Sequence, residues 1–346
     1  MSKKTVKNNS YENFLSAIKS GKIGNFYIFH GEERYLLDYC VGQIRAALCP
    51  DGLDSFNYKQ YDGNGLSLDQ LEDAVNTYPA FAEKTLIEVH DFDIFKADIR
   101  ERILEIVSDL PEYTCLLFIY GTTPYKPDGR LKANKEIQKH ADIVEFTVQD
   151  QEKLVRWIKR HFSDNGKKID TRNAEYIAFI TGGLMSNLKG EIEKVAAYSK
   201  LETISRSDID AVVIPVLDAV TYRLTDCILS SDHKRSTKIL SELFQMREPP
   251  HKMIYSISLK MRQLLVARVC IENNLDVRTL MSISGLRHDF QARAIWNTAK
   301  KTSLAQCRNS VLFCSATALE LNSTLDPEAR IIELVCKIAL SKHLLK

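Results

Sequence analysis

The sequence has no long hydrophobic run and no segment typical of an export signal. Its apolar runs stay well short of the roughly 18 residues that a membrane-spanning helix requires. The basic N-terminus MSKKTVKNNS is followed by YENFLSAIKS, which lacks both an apolar core and a small-residue cleavage site. We therefore expect a soluble, cytoplasmic protein that makes no contact with a membrane.

Cysteine and histidine are present, but never at the spacing of a metal or redox motif. The eight cysteines include no C-x-x-C pair, which excludes a zinc ribbon and a thioredoxin-type redox pair. The histidines include no H-x-x-x-H pair, so a metal site would need ligands from distant segments. We expect reduced thiols in the core and neither a metal ion nor a cofactor.

Charge is divided by region although the net charge of the chain is only +2. Residues 1–150 contain 17 Lys and Arg against 24 Asp and Glu, whereas residues 214–346 contain 19 against 12. The first region is therefore acidic and the last is basic. A basic C-terminal third can attract nucleic acid or an acidic partner, and it is equally typical of solvated helical surfaces. Both interpretations stay open.

Helix and strand patterns alternate along the first 148 residues, which predicts an α/β domain. One helix should begin after Ser67, because Ser67 and Gln70 have the spacing of a capping box. The run YTCLLFIYG is typical of a parallel strand buried on both faces. Crossover helices between strands predict a covered, five-stranded parallel sheet. The five strand segments are NFYIFHG, FNYKQYD, TLIEVHDF, YTCLLFIYG and ADIVEFT. We expect the residues before Tyr11 to be mobile.

Strand patterns cease after Val148, and the rest of the chain has helical periodicity. Residues 149–213 contain three helical segments and predict a small three-helix domain. Residues 214–346 are helical in every long segment, with breaks at Pro249-Pro250 and before Pro327. They predict a third, all-helical domain of about five helices.

The link between the first strand and its helix lacks the composition of a phosphate-binding loop. Such a loop uses glycine N–H groups and a lysine at the start of the helix. Here Gly31 is followed by Glu32 and Glu33, whose carboxylates would face a polyphosphate. Asp91 follows a later strand, but Phe92 occupies the place of the second carboxylate that would hold magnesium. We expect no nucleotide site and no intrinsic active site, with the acidic pair at the positive end of the helix.

An aromatic residue lies in the short connection before the third strand. Pro79 ends a helix and the strand begins near Thr85, which leaves Ala80, Phe81 and Ala82 between them. In one interpretation Phe81 folds back under the sheet edge, because large apolar side chains are usually buried. In the other, a proline-stiffened loop presents the ring to a pocket of a partner at little ordering cost.

Three motifs follow one another along the chain. GEERYL spans residues 31–36, PAFAEK spans residues 79–84, and GLMSNLKGEIEK spans residues 183–194. Their order and spacing resemble those of the delta-subunit family of the bacterial DNA polymerase III clamp loader, over nearly the whole chain. The resemblance implies an AAA+-like domain without an ATP site at residues 1–148, a small helical lid domain at 149–213, and a helical collar at 214–346.

The resemblance also implies a function in DNA replication and a set of partners. Pro79, Ala80, Phe81 and Ala82 would bind the sliding beta clamp, and this chain would open it without hydrolysing ATP. Gly31, Glu32 and Glu33 would form a degenerate phosphate loop. The collar would join motor subunits and a delta-prime subunit in a hetero-pentamer that acts on primer-template DNA. That assembly belongs to a holoenzyme classed as a DNA-directed DNA polymerase, a nucleotidyltransferase.

One position departs from the family, and two other functions stay open. Many relatives have a second bulky residue before the clamp-binding phenylalanine, where this chain has Ala80. Tyr78 either supplies the missing apolar surface or ends the preceding helix with its ring partly buried. The other functions are an ATP-hydrolysing AAA+ protein of replication or repair, and a freestanding helical protein that binds DNA through its basic C-terminal third.

Overall fold

The chain divides into two compact units, Met1–Val148 and Gln149–Lys346. This computed structural model describes residues 7–49, 54–230, 232–286 and 289–341. The division falls where the sequence predicts the end of the α/β domain. The second expected boundary, between residues 213 and 214, lies inside the second unit and stays a prediction.

A parallel sheet forms the centre of the first unit. Its strands are β1 (Lys7–Asn9), β2 (Phe26–Gly31), β3 (Tyr58–Asp62), β4 (Thr85–His90), β5 (Thr114–Tyr120) and β6 (Asp142–Phe146). They lie in the order β1-β6-β2-β5-β4-β3, and every neighbouring pair is parallel. The five expected strands are all present, and β1 is added at one edge. Residues 7–9 are therefore not the mobile segment that we expected, and residues 1–6 lie outside the described ranges.

Helices cover both faces of this sheet because its strands alternate apolar side chains between the faces. Phe26 and Ile28 of β2 join one hydrophobic core cluster. Tyr27 and Phe29 point to the other face and make edge-to-face contacts with Phe14. All seven residues of β5 are buried, as the continuous apolar run predicts. The helices are α1 (Tyr11–Lys19), α2 (Arg34–Leu48), α3 (Asp54–Asn57), α4 (Leu68–Val75), α5 (Arg100–Ser108) and α6 (Lys132–His140).

The parallel arrangement places the connecting segments at two opposite edges of the sheet. Segments that enter strands lie at one edge, which we call the amino edge; it includes residues 23–25, 57, 76–84 and 113. Segments that leave strands lie at the other, which we call the carboxyl edge; it includes residues 31–34, 91, 121–123 and 146. The two expected site segments therefore lie at different edges.

The first part of the second unit contains four helices and a pair of short parallel strands. The helices are α7 (Gln151–Asp164), α8 (Thr171–Ile180), α9 (Met185–Tyr198) and α10 (Arg206–Val212). The strands are β7 (Lys168–Ile169) and β8 (Thr203–Ile204). The sequence predicts three helices here, and the fourth, α10, has only seven residues, too few for a clear periodic pattern.

In the described residues of the rest of the second unit, all the regular elements are helices. The helices are α11 (Leu217–Leu229), α12 (His233–Gln245), α13 (Pro250–Glu272), α14 (Val277–Ser284), α15 (Asp289–Lys300), α16 (Leu304–Glu320) and α17 (Pro327–Leu340). Two clusters of buried apolar side chains hold them together. The expected breaks at proline are confirmed, since α13 and α17 begin at Pro250 and Pro327.

Candidate functional site

The loop that joins α4 to β4, residues 76–84, presents Phe81 to solvent. The Phe81 side chain is 92% exposed. Its φ angle is +60°, in the left-handed region that residues with a Cβ atom rarely adopt. The interpretation in which Phe81 folds under the sheet edge is therefore wrong. The ring is held outward at the amino edge, where another molecule can reach it.

A buried asparagine holds the main chain beside Phe81. Asn57, the last residue of α3, has no exposed surface. Its Nδ2 atom donates to the Ala80 carbonyl oxygen at 2.6 Å, and the Ala80 N–H donates to its Oδ1 atom at 2.6 Å. One side chain thus satisfies both main-chain groups of Ala80. Sequence analysis missed Asn57 because it precedes Ala80 by 23 residues and only the pairing of β3 with β4 brings the two together.

Both ends of the loop are also fixed by lysine side chains. Near its start, the Lys59 Nζ atom donates to the Thr77 hydroxyl oxygen at 2.8 Å. At its end, the Lys84 Nζ atom donates to the Ile23 carbonyl oxygen at 3.2 Å and to the side-chain oxygen of Asn25. The charged pair that closes the PAFAEK motif therefore includes a residue that ties the loop to the segment before β2.

Among the apolar residues around Phe81, Tyr78 is the one that is also exposed. Pro79, Ala80 and Ala82 are all half-buried. The Tyr78 side chain is 76% exposed, and its ring stacks on Tyr113 with centroids 4.6 Å apart. The expectation that Tyr78 ends the helix with a partly buried ring is wrong, because α4 already ends at Val75. Two aromatic rings are thus available on one loop.

The carboxyl edge has a different character at residues 31–33, where the sequence predicts a degenerate phosphate loop. Only Glu32 and Glu33 separate β2 from α2, so there is no extended loop to surround a phosphate. Gly31 has a φ angle of +137°, and a Cβ atom there would lie 2.2 Å from the Phe146 carbonyl oxygen. The Glu33 N–H donates to that same oxygen at 3.0 Å, and Glu33 is fully buried at the start of α2. Protein groups therefore fill the place where a phosphate would approach the helix.

Asp91, the residue that follows β4, is also used within the protein. Its Oδ1 atom accepts the N–H groups of Thr122 and Thr123 at 2.5 and 2.8 Å. Burial by itself raises the pKa of Asp91, but these hydrogen bonds outweigh it and hold the pKa below its ordinary value. The carboxylate thus fixes the segment after β5, where an ATPase would use it to bind magnesium.

Some basic side chains of the second unit form ion pairs with acidic side chains on its helices. Arg223 pairs with Glu242, and the Arg268 Nε atom lies 3.0 Å from Glu272. Apolar side chains are exposed on another helix of this unit, α16. Leu312 and Leu319, seven residues apart on α16, are 63% and 73% exposed. Because they are about two helical turns apart, Leu312 and Leu319 lie on the same face of α16 and form a short exposed apolar stripe.

Metal and membrane sites are not found in the part of the chain that the structure describes. Within those ranges, no three His, Cys, Asp or Glu side chains are grouped so that they could hold a metal ion. No helix in them combines the length and the apolar character needed to cross a membrane. Seven of the eight cysteines are buried, and Cys336 is exposed. These thiols lie mainly in the core, as expected.

Two protein-family models match this chain. The model for the DNA polymerase III delta subunit matches residues 27–147. The model for the C-terminal domain of the DNA polymerase III delta subunit matches residues 218–337. The first match contains the Phe81 loop and residues 31–33, and the second covers most of α11–α17. Together they span more than two thirds of the chain.

Individual relatives match over most of their length. The chain is 24% identical to DNA polymerase III subunit delta of Bacillus subtilis over 304 residues, 84% of this chain and 86% of the relative. It is 19% identical to a probable DNA polymerase III subunit delta of Aquifex aeolicus over 296 residues, 83% of each chain. The solved Bacillus subtilis DNA clamp loader delta protein shares the fold, with a TM-score of 0.56 and 21% identity over 95% of this chain and 99% of that one.

Proposed function

Since the chain belongs to the DNA polymerase III delta subunit family, we propose that it binds the sliding beta clamp and opens it for loading onto primed DNA. Family membership confirms the resemblance seen in the three sequence motifs. The proposal assigns clamp binding to the loop at the amino edge. It also assigns no chemical step to the chain itself.

The exposure of Phe81 on an anchored loop is the observation that carries this proposal. Burial of a phenylalanine ring in a partner's pocket contributes roughly 1.5–3 kcal/mol. The loop is already held at Ala80 by Asn57 and at its end by Lys84, so little conformational entropy remains to be lost on binding. Phe81 would enter an apolar pocket of the clamp, with Pro79, Ala80 and Ala82 as the supporting main chain.

Clamp opening would follow from a preference in binding. A protein can shift a partner toward an open state only as far as it binds that state more tightly than the closed one. No ATP hydrolysis by this chain is needed for such a shift. The chain would favour an open interface in the clamp, and primer-template DNA would pass through it.

The carboxyl edge supports a subunit that does not use ATP. Glu33 and the Phe146 carbonyl group occupy the start of α2, and Asp91 is committed to main-chain N–H groups. The alternative of an ATP-hydrolysing AAA+ protein finds no support there. We propose that the chain has no active site of its own and no cofactor, and that it acts within a holoenzyme whose polymerase activity lies in other subunits.

The second unit would provide contacts with other clamp-loader subunits. Its exposed stripe at Leu312 and Leu319 suits an apolar helix of a neighbouring subunit. We assign the lid to residues 149–213 and the collar to residues 214–346, joined with motor subunits and a delta-prime subunit in a hetero-pentamer. The basic surplus of the collar favours contact with primer-template DNA within that complex. The complex would work at the cytoplasmic replisome.

The proposal is tested by the affinity of the purified chain for the clamp, measured by surface plasmon resonance. We expect Phe81→Ala to weaken binding between about tenfold and a hundredfold, because the ring's burial is lost. The control is Tyr39→Ala on α2, a ring that is 47% exposed in the same unit, which should leave the affinity unchanged. Equal affinity of Phe81→Ala and the unaltered chain would remove the assignment of the loop.

A further inference from the structure

The main chain at Phe81 adopts a conformation that the loop would not hold by itself. A positive φ of 60° is unfavourable for a bulky residue, so the surrounding structure must impose it. A loop free to relax would move Phe81 into the more populated regions of φ and ψ and would change the direction of the ring. A contact with the surrounding structure must therefore hold the Phe81 ring in its outward orientation.

The contact nearest to Phe81 is made by Asn57. Its carboxamide forms two hydrogen bonds of 2.6 Å with Ala80, the residue immediately before Phe81. The two lysine contacts lie further away, at Thr77 and Lys84. They fix the ends of the loop, whereas Asn57 fixes its centre.

Asn57 is itself well placed to act as a rigid support. It has no exposed surface, and its main-chain carbonyl oxygen accepts a hydrogen bond from the Cys49 thiol, with the sulfur 3.6 Å away. It also lies at the junction between α3 and β3, so the central sheet limits its movement. The Asn57 carboxamide therefore presents its donor and acceptor to Ala80 at a fixed position.

We propose that Asn57 is a positioning residue for clamp recognition, which holds Phe81 in its binding orientation before the clamp arrives. This inference rests on the proposed function of the loop and adds a role for a residue that does not project toward the partner. Without Asn57, only a fraction of the molecules would present the ring correctly at any moment. The apparent affinity falls to that fraction of its intrinsic value, and the loss lies in the association rate.

The test measures the association and dissociation rates of Asn57→Ala on immobilised clamp. We expect the association rate to fall about tenfold with little change in dissociation, whereas Phe81→Ala should accelerate dissociation. Hydrogen exchange of the Ala80 amide should also become faster in Asn57→Ala, since its acceptor is lost. A purely structural effect on the folded fraction would not change the association rate per folded molecule.

A matched control is Asn134→Ala in α6. Asn134 is 1% exposed, and its Nδ2 atom donates to the Asp128 carbonyl oxygen at 3.1 Å in a different loop. This variant loses a comparable buried hydrogen bond and should bind the clamp at the normal rate. Normal association of Asn57→Ala, with Phe81→Ala impaired, would overturn the role of Asn57. Normal binding by Phe81→Ala would instead overturn the function of the loop.

Two further measurements keep the proposal open to contradiction if Asn57→Ala does not fold. In Asn57→Ser, the serine side chain is too short to hydrogen-bond both the N–H and the carbonyl group of Ala80, but it keeps a polar atom at the site. This variant should show the same slow association. In the unaltered chain without clamp, the Ala80 amide should already be protected from exchange. An unprotected Ala80 amide there would contradict a preformed loop without the use of any variant.

Discussion

The two edges of one parallel sheet use their main-chain groups in opposite ways. At the carboxyl edge, Gly31 packs against the Phe146 carbonyl group and Asp91 accepts the N–H groups of the segment after β5. At the amino edge, Asn57 and Lys84 hold a loop so that Phe81 points into water. The carboxyl edge is closed by internal contacts, and the amino edge is built to present a side chain.

In the function that we propose, one fold lacks a phosphate site at one edge and has a protein-binding site at the other. A phosphate site needs free N–H groups at the start of a helix, and here the Phe146 carbonyl oxygen accepts the Glu33 N–H group. A protein-binding loop needs only a supported apolar side chain, which the opposite edge supplies without any change to the first. Substitutions at the two edges should therefore have separable effects, on stability at one and on clamp binding at the other.

The largest effect is expected at Gly31. Gly31→Ala would place a Cβ atom 2.2 Å from the Phe146 carbonyl oxygen at a φ angle of +137°. Both the overlap and the unfavourable φ should lower the free energy of unfolding by about 3 kcal/mol or more. Urea denaturation measures this loss. A Gly31→Ala variant as stable as the unaltered chain would show that the carboxyl edge can accommodate a Cβ atom at this position.

The control for Gly31→Ala is Gly42→Ala, in the helix that directly follows Gly31. Gly42 is an exposed residue within α2, and a Cβ atom there would meet nothing within 4 Å. Gly42→Ala should raise the free energy of unfolding by up to about 1 kcal/mol, because alanine favours the helix. The same substitution would thus have opposite signs at two nearby glycines.

A smaller effect with a distinct pH dependence is expected at Asp91. Because its folded pKa lies below the ordinary value of 3.8, its stabilising contribution is present above pH 3.8 and is lost as the pH falls through the folded pKa. Asp91→Asn should lower the free energy of unfolding by about 1 kcal/mol at pH 7. The two proteins should converge in stability once the pH is below the folded pKa of Asp91, which itself lies below 3.8.

Asp62 offers a comparison within the same edge. Its carboxylate accepts a single N–H group, from Asn64 at 2.8 Å, in an exposed position at the end of β3. Asp62→Asn should change the unfolding free energy less than Asp91→Asn does. If the difference in unfolding free energy between the unaltered chain and Asp91→Asn stayed the same at acid pH, the hydrogen-bonded carboxylate would not be its source.

The smallest effect is expected at Tyr78 and concerns clamp binding. Its ring is largely exposed but already packs on Tyr113, so part of its surface is unavailable to a partner. Tyr78→Ala should weaken clamp binding by about three- to fivefold, less than Phe81→Ala. Tyr198→Ala on α9 is the matched control. A loss equal to that of Phe81→Ala would mean that the two rings share the contact, as Ala80 suggests.

Periodicity and local capping were sufficient to predict most of the first unit. The apolar run of β5 is buried on both faces, and Ser67 and Gln70 form the expected capping box. The strand β1 was not predicted, because Lys7–Asn9 has no apolar residue and gains its place only by pairing with β6. For residues 214–346 the sequence predicts about five helices, and the described part of this region contains seven. The difference arises from short helices such as α14, whose periodic pattern merges with that of its neighbours.

The site was predictable only in part, for a physical reason. A proline before an aromatic residue marks a stiff turn, and the family motif identified Phe81. Composition could not decide between a buried and an exposed ring, because that depends on what lies beneath the loop. Asn57 gave no signal at all, since its role depends on a contact with Ala80 that exists only once β3 and β4 have paired.

The Phe81 ring is exposed before any partner binds. In the proposed function Phe81 needs no internal rearrangement to reach the clamp, so its occupancy would depend on the local concentration of clamp and on competition from other surfaces. The timing of each loading cycle would then be set outside this chain, by whatever covers and uncovers the loop.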